Sequence, residues 1–296
     1  MAHLESDPEF QDYLRAFREG LQKLGWTEGR NVKIDVRWGA LDDAEGRQRS
    51  AKELITLQPD LIVTQNTPPT AAMLAQTSTI PVIFVIVADP MGSGFVKSLP
   101  RPGGNATGFT IMEPTIVSKW LEFLKEIAPR VSRAALLFNP ATTPYANIYV
   151  TPFETAAPSF GLEATTAIVH DKAELETVIA AQAAAPNSGL IVMPDGFLNV
   201  HREDLVSLAA HHRIPTVYPW RFLPEQGGLL SYGSEMRDEF RLAAAYADRI
   251  LKGEKTVDLP VQAPTKYELV INLKTAKALG LEVTQQFQQL ADKIID

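Results

Sequence analysis

One segment type occurs twice in this chain, once in each half. Leu61-Ile62-Val63 runs into the polar stretch Thr64-Gln65-Asn66-Thr67, a helical stretch follows, and then comes Ile80-Pro81-Val82-Ile83-Phe84. Leu190-Ile191-Val192 runs into Pro194-Asp195-Gly196, then another helical stretch, then Ile214-Pro215-Thr216-Val217-Tyr218. Each copy reads as strand, loop, helix, strand. A short continuous apolar run is what a strand buried on both faces of a parallel sheet requires. The duplication predicts two similar α/β lobes, with a small molecule expected in a cleft between them.

The rest of the chain fits that alternation. Phe10, Tyr13, Leu14, Phe17, Leu21 and Leu24 recur at helical spacing and Gly25 stops the pattern, which predicts a helix over 9–24. Val32, Ile34, Val36 and Trp38 alternate with Lys33, Asp35 and Arg37, the pattern of a half-buried strand. A second helix is predicted over Ala44–Leu57. A third is capped by Thr67, with Pro68 and Pro69 in its first turn, where a missing N–H costs little. Buried strands follow at Pro81–Val87 and Ala134–Phe138, and a late strand at Tyr267–Asn272. The fold class is therefore α/β with mostly parallel sheets. One lobe is placed at 1–111 with 230–256, the other at 114–226 with 260–296.

At 296 residues the chain can bury two cores. A formal charge of −7 argues against nucleic acid and anionic membrane as partners, since both call for a basic patch. Without cysteine there is no disulfide, thiolate metal site or cysteine nucleophile. His211 and His212 are adjacent and point to different sides of a helix, so they lack the spacing of a zinc helix, and no metal is expected. Gly92-Ser93-Gly94 follows a strand, but Lys97 stands where a dinucleotide fingerprint has its third glycine. No cofactor is expected. The opening Met1–Pro8 has no apolar stretch of signal-peptide length, so two readings stay open: an export signal has been removed, or the protein stays inside.

In open α/β sheets ligands bind outside the carboxyl ends of the strands. The residues just after the predicted strands are Asn66 and Thr67, Asp89, Asn139, Asp195, and Tyr218 with Trp220. This set can hold a zwitterion: helix N–H groups and a hydroxyl for a carboxylate, Asp89 or Asp195 for an ammonium group, and aromatic rings for a wall. Each residue also has an ordinary reading. Asp89-Pro90, Asn139-Pro140 and Asp195-Gly196 are common turn openers. Tyr218 and Trp220 also suit core packing, and of Tyr145 and Tyr149, one turn apart, one is expected to pack and one to be exposed.

Several longer stretches carry a resemblance. They are Phe17–Leu21 to Gly29–Val32, Ala88-Asp89-Pro90, Arg101–Gly108, Phe138-Asn139-Pro140, Ser231-Tyr232-Gly233 and Pro264–Ala276. Together they resemble the bacterial ABC-transporter substrate-binding proteins of the type that includes tryptophan- and tyrosine-binding members. The resemblance implies a type I periplasmic-binding-protein fold: two Rossmann-like lobes, three crossovers, and hinge closure over an amino-acid-like ligand, aromatic or medium apolar. It implies delivery to a membrane permease with its ATPase, and a periplasmic or lipid-anchored location. Asn66, Thr67, Asp89, Asn139, Asp195 and Tyr232 stand where that family's cleft residues would be; Tyr145 joins them as a candidate. One departure is visible. The first helix begins after only eight residues, so the first strand of that lobe is expected to be missing. A sensor domain of the same fold and, more distantly, a nucleotide-using enzyme on a Rossmann-like sheet are the alternatives.

Overall fold

The structure is a computed structural model describing residues 5–39 and 43–296, and Asp7 opens its first helix. The Asp7 carboxylate accepts the Glu9 N–H at 3.1 Å, and Pro8 sits in the first turn, where its missing donor is not needed. Helix α1 (Pro8–Lys23) buries Phe10, Tyr13, Leu14, Phe17 and Leu21 of the stripe that the spacing predicts, while Leu24, its C-cap, is exposed. Helix α2 (Ala44–Thr56) is capped by Asp43, which accepts the Gly46 N–H at 2.7 Å. Strand β1 (Ile62–Gln65), helix α3 (Thr67–Leu74), and strands β2 (Val82–Val87) and β3 (Ala106–Thr110) follow. The strands pair in the order β1-β2-β3, all parallel. Every residue of β2 is buried, as its unbroken apolar sequence demands. Ile62, Val82 and Phe84 pack against Ala51, Ala72 and Met73 of α2 and α3.

The chain then builds a second sheet. Helix α4 (Val117–Ile127) leads to β4 (Arg133–Phe138), α5 (Asn147–Ala156), β5 (Glu163–Ile168), α6 (Lys172–Ala184) and β6 (Ser188–Val192). After these come α7 (Gly196–Val200), α8 (Arg202–His211), β7 (Thr216–Tyr218), α9 (Phe222–Glu225) and β8 (Leu230–Ser234). Helix α10 (Met236–Leu251) returns to the first unit, where Phe240 stacks on Tyr13 at 5.5 Å and Asp248 accepts the Trp26 indole N–H at 2.8 Å. Strand β9 (Tyr267–Asn272), helices α11 (Leu273–Leu279) and α12 (Gln285–Leu290), and β10 (Lys293–Ile295) complete the second unit. Its strands run in the order β10-β9-β8-β7-β6-β4-β5, parallel except for β8 against β9. The two compact units are Met1–Glu113 with Met236–Thr265, and Pro114–Glu235 with Lys266–Asp296, so the chain passes between them three times.

Three expectations are corrected. Residues 230–235 belong to the second unit, because β8 pairs with both β7 and β9; residues 260–265 belong to the first, where Thr110 donates its N–H to the Gln262 carbonyl at 2.9 Å. Apolar patterning identifies strands but not their neighbours. The strand expected over Val32–Trp38 does not form. Val32 makes one isolated bridge to Glu28, and among the described residues 33–38 join no ladder. The side chains still alternate, Val32, Ile34 and Val36 half-buried against exposed Lys33 and Asp35, because alternation reports which side faces the protein, whereas a strand also needs an adjacent backbone. Thirdly, α3 is capped by Asn66, and Thr67 is its first helical residue.

Close approach of two backbones fixes one glycine. At Gly108 in β3, φ is +151°, and a Cβ would lie 1.9 Å from the Phe84 carbonyl oxygen. The pairing of β2 with β3 shifts register between Phe84 and Val87, the mark of a bulge.

Candidate functional site

In the first unit the carboxyl ends of β1 and β2 are held in unusual backbone conformations. Asn66 has φ 68° and ψ 161°, a region that glycine alone normally occupies. Ile86, within β2, has φ 61°, an outlier for a β-branched residue. The two are linked: the Asn66 N–H donates to the Val85 carbonyl at 2.9 Å. The Asn66 carbonyl accepts the Thr70 hydroxyl at 2.7 Å, and the Thr70 and Thr64 hydroxyls are bonded at 2.8 Å. The Asn66 side chain makes no capping bond. Thr67 is buried, and its hydroxyl has no partner among the described residues. Pro68 and Pro69 remove two of the helix's first-turn donors, leaving the Thr67 N–H and hydroxyl as the polar groups at its start. Asp89, half-buried, accepts the Gly92 N–H at 2.7 Å and so serves its own turn. A Cβ on Gly92 would come within 2.0 Å of the Asp89 carboxylate, so a larger residue there would displace that side chain.

In the second unit Asn139, Tyr145 and Asp195 are brought together. Asp195 is buried and caps α7 through the Phe197 N–H at 2.7 Å. It also accepts the Asn139 N–H at 2.6 Å and the Thr142 hydroxyl at 2.5 Å. Burial pushes its carboxyl up to about 6, against the opposing pull of these hydrogen bonds. Asn139 is fully engaged. Its amide N–H2 donates to the His170 carbonyl at 2.9 Å, its side-chain oxygen accepts the Ala141 N–H, and its carbonyl accepts the hydroxyls of Thr142 and Thr143. Tyr145 is half-buried and donates its hydroxyl to the Pro194 carbonyl at 2.9 Å, beside Asp195. Burial first, then the Asp195 charge, raises its phenol well above the usual range. The result is a rigid floor at the ends of β4 and β6, with the half-buried Tyr145 ring tied to it.

The other aromatic candidates stand apart from that floor. Tyr218 and Trp220 are core residues, only 1% and 5% exposed, and the Tyr218 ring lies so close to Gly228 that a Cβ there would approach it to 2.7 Å. Burial raises the Tyr218 phenol above its ordinary range. Tyr232 is half-buried in the middle of β8, where it stacks on Tyr267 at 5.7 Å and meets Phe123 edge-on at 5.0 Å. Sequence reasoning passed over Thr142, whose hydroxyl joins the loop after Asn139 to Asp195, and Thr143, whose hydroxyl returns to the Asn139 carbonyl. Their signal was two hydroxyls placed three and four residues after a strand-end Asn, the spacing at which they return to its carbonyl. Among the described residues no group of three His, Asp or Glu side chains could hold a metal ion, and no helix is long and apolar enough to cross a membrane.

Comparison with known proteins agrees with this architecture. A family described as "ABC transporter substrate binding protein" matches residues 3–295. A curated "Tyrosine-binding protein" from Clostridioides difficile (strain R20291) is 26% identical over 283 residues, covering 95% of this chain and 80% of that protein. The crystal structure of an ABC domain in complex with L-Trp from Streptococcus pneumonia superposes with a TM-score of 0.89 at 25% identity, covering 98% of this chain and 96% of that one. A conserved domain protein from Vibrio cholerae O1 biovar El Tor gives a TM-score of 0.90 at 25% identity, covering 99% and 97%. The fold is that of the type I periplasmic binding proteins.

Proposed function

The chain belongs to the ABC transporter substrate binding protein family, and from that premise we propose that it captures a small amino acid with an aromatic side chain. On this reading it is the solute-binding component of an importer, acts outside the cytoplasm, and hands its ligand unchanged to a membrane permease with its ATPase. The carrying observation is whole-chain likeness to two relatives, one a structure holding L-Trp and one named for tyrosine binding.

The strand-end residues supply the chemistry such a ligand needs. The unpartnered Thr67 hydroxyl, the Thr67 N–H and the Asn66 amide suit a carboxylate. Asp89 retains acceptor capacity for an ammonium group after taking one N–H from its turn. In the second unit the Tyr145 ring is the aromatic surface, in preference to the fully packed Tyr218 and Trp220. Charge-assisted bonds contribute roughly 1.5–3 kcal/mol each. Two or three of them plus aromatic contact reach the ~8 kcal/mol of a micromolar complex. A thermal-shift screen over the amino acids, with purines and sugars alongside, tests this. Trp or Tyr raises the melting temperature and the other classes do not; a screen in which no amino acid moves it ends the proposal.

A further inference from the structure

The chain leaves the second unit after Glu235 and re-enters it at Lys266, and these two points are neighbours. Strands β8 and β9 are antiparallel and Ser234 pairs with Tyr267, so the end of one and the start of the other form the open mouth of a two-stranded ribbon. Arg221, in the turn between β7 and α9, reaches both arms of that ribbon. Its Nη1 donates to Glu235 at 3.1 Å and to Glu268 at 2.9 Å, one carboxylate from each arm. Its Nη2 lies 3.5 Å from Glu225, which also accepts from Lys293 Nζ at 2.6 Å. The side chains of Glu235 and Glu268 are only 13% exposed. Lys266 reaches Glu268 at 3.2 Å, but it is 63% exposed, and an ion pair in water contributes little. Arg221 is thus the cation that stands between two largely buried like charges, which repel without it. The first crossing, between Glu113 and Pro114, is anchored to the same ribbon: in α4, which follows it, the Trp120 indole N–H donates to the Tyr232 carbonyl at 2.7 Å.

We propose that Arg221 is a positioning residue for the crossings. By neutralising Glu235 and Glu268 together it closes the mouth of the ribbon, so both return segments leave the second unit as one rigid piece, and bending starts only beyond Glu235 and before Lys266. The backbone ladder alone does not secure this, because the last pairs of a ladder open at little cost. A guanidinium suits the task, since its planar fork donates to several carboxylates at once, where an ammonium is a point charge. The effect is one of placement more than of net stability, because a buried ion pair replaced by neutral groups is often no loss. Arg221, Glu235 and Glu268 are separate from the residues offered to the amino acid. The inference rests on the solute-binding reading only for its consequence: there, a loosened ribbon weakens capture although no ligand contact is lost.

Hydrogen exchange of the full-length protein without ligand tests the clamp. Arg221→Met removes the charge and keeps an aliphatic stem. It is expected to speed exchange at the mouth, in residues 233–235 and 266–268, by about tenfold, while the amides of β4 and β6 keep their parental rates. Adding Glu235→Gln and Glu268→Gln removes the repulsion and is expected to restore most of the protection. Arg221→Lys is the milder variant, with a smaller acceleration expected, and it serves if the Met variant does not fold. Unchanged exchange at the mouth would overturn the proposal. So would acceleration spread equally over β4 and β6, which would make Arg221 an ordinary stabilising residue. Protection that the two glutamines do not restore would also overturn it, since the stem and not the charge would then close the mouth. Because no ligand is present, failure of the amino-acid reading leaves this result untouched.

Discussion

Asn66, just past the end of β1, and Ile86 in the adjacent β2 hold positive φ angles of 68° and 61°, linked through the hydrogen bond from the Asn66 N–H to the Val85 carbonyl. Two non-glycine residues in such conformations cost on the order of 1–3 kcal/mol each, and they persist only where the surroundings over-determine them. The surroundings here are the β2–β3 bulge, the Thr64–Thr70 hydroxyl pair and the start of α3. Together they aim the Asn66 side chain and the Thr67 hydroxyl as a fixed pair. Strain gathered at the carboxyl ends of strands is what the proposed binding role of Asn66 and Thr67 would put to use.

Asn66→Gly separates binding from stability. Glycine adopts the observed angles freely, so the variant is expected to be as stable as the parent or up to about 1 kcal/mol more stable, after allowing for glycine's greater entropy when unfolded. Its affinity for L-Trp is expected to fall about tenfold with the loss of the amide, about 1.4 kcal/mol. Chemical denaturation and calorimetric titration read the two effects. A variant that loses stability and keeps its affinity would remove Asn66 from the site.

The Thr67 hydroxyl makes a related prediction. A buried hydroxyl without a partner carries a desolvation penalty of about 1–3 kcal/mol. Thr67→Val removes the hydroxyl at nearly constant volume, so the ligand-free protein is expected to melt higher. If the ligand supplies the missing partner, the same variant binds roughly tenfold more weakly. A higher melting temperature with unchanged affinity would mean that the hydroxyl is only a local defect.

Asp195 gives stability a pH dependence of definite sign. Its carboxyl titrates near 6 in the folded protein and near the ordinary aspartate value of about 3.9 when unfolded. Between these values the folded state holds the proton and the unfolded state has released it, so stability falls as pH rises. The contribution is fully present below about pH 4 and lost above about pH 6, and amounts to about 3 kcal/mol. Asp195→Asn cannot ionise and lacks this slope. Denaturation midpoints of both proteins from pH 4 to 7 check it. A difference between them that does not vary with pH would show that Asp195 stays ionised when buried.

Much of the fold was legible because parallel strands leave a coarse record. Val82–Val87 and Ala134–Phe138 read as strands since both faces are buried and every position is apolar, and Leu61–Val63 reads as one from its apolar run although only Ile62 of the three is buried. Helix α1 was legible because one stripe alone is buried. Long-range pairing leaves no local trace. Nothing in Leu230–Ser234 says that it lies between β7 and β9, and nothing in Val32–Trp38 says that its alternation lacks a ladder. At the site, strand ends pointed to Asn66, Asn139 and Asp195 by position. What the sequence could not carry was occupancy. Asn139 bonds its own loop, the His170 carbonyl and Asp195; Tyr218 and Trp220 go into the core; and the partnerless Thr67 hydroxyl emerges only once its neighbours are in place.

The same strand ends depend on one position that bears no side chain. At Gly108 a Cβ would lie 1.9 Å from the Phe84 carbonyl oxygen and 2.7 Å from the Phe84 nitrogen, and both obstacles are backbone that cannot rotate aside. The φ of +151° adds a conformational penalty for any other residue. Gly108→Ala must therefore push β3 away from β2 beside the bulge that holds Ile86, and it is expected to cost 3 kcal/mol or more, on the order of the largest single-site effects. Gly104→Ala is the matched control: nothing lies within 4 Å of its Cβ, so its effect should stay within about 0.5 kcal/mol. Urea midpoints of the two variants decide the matter. If Gly108→Ala unfolds at the parental midpoint, the close β2–β3 contact, and with it the over-determination of Ile86, is not a property of the folded protein.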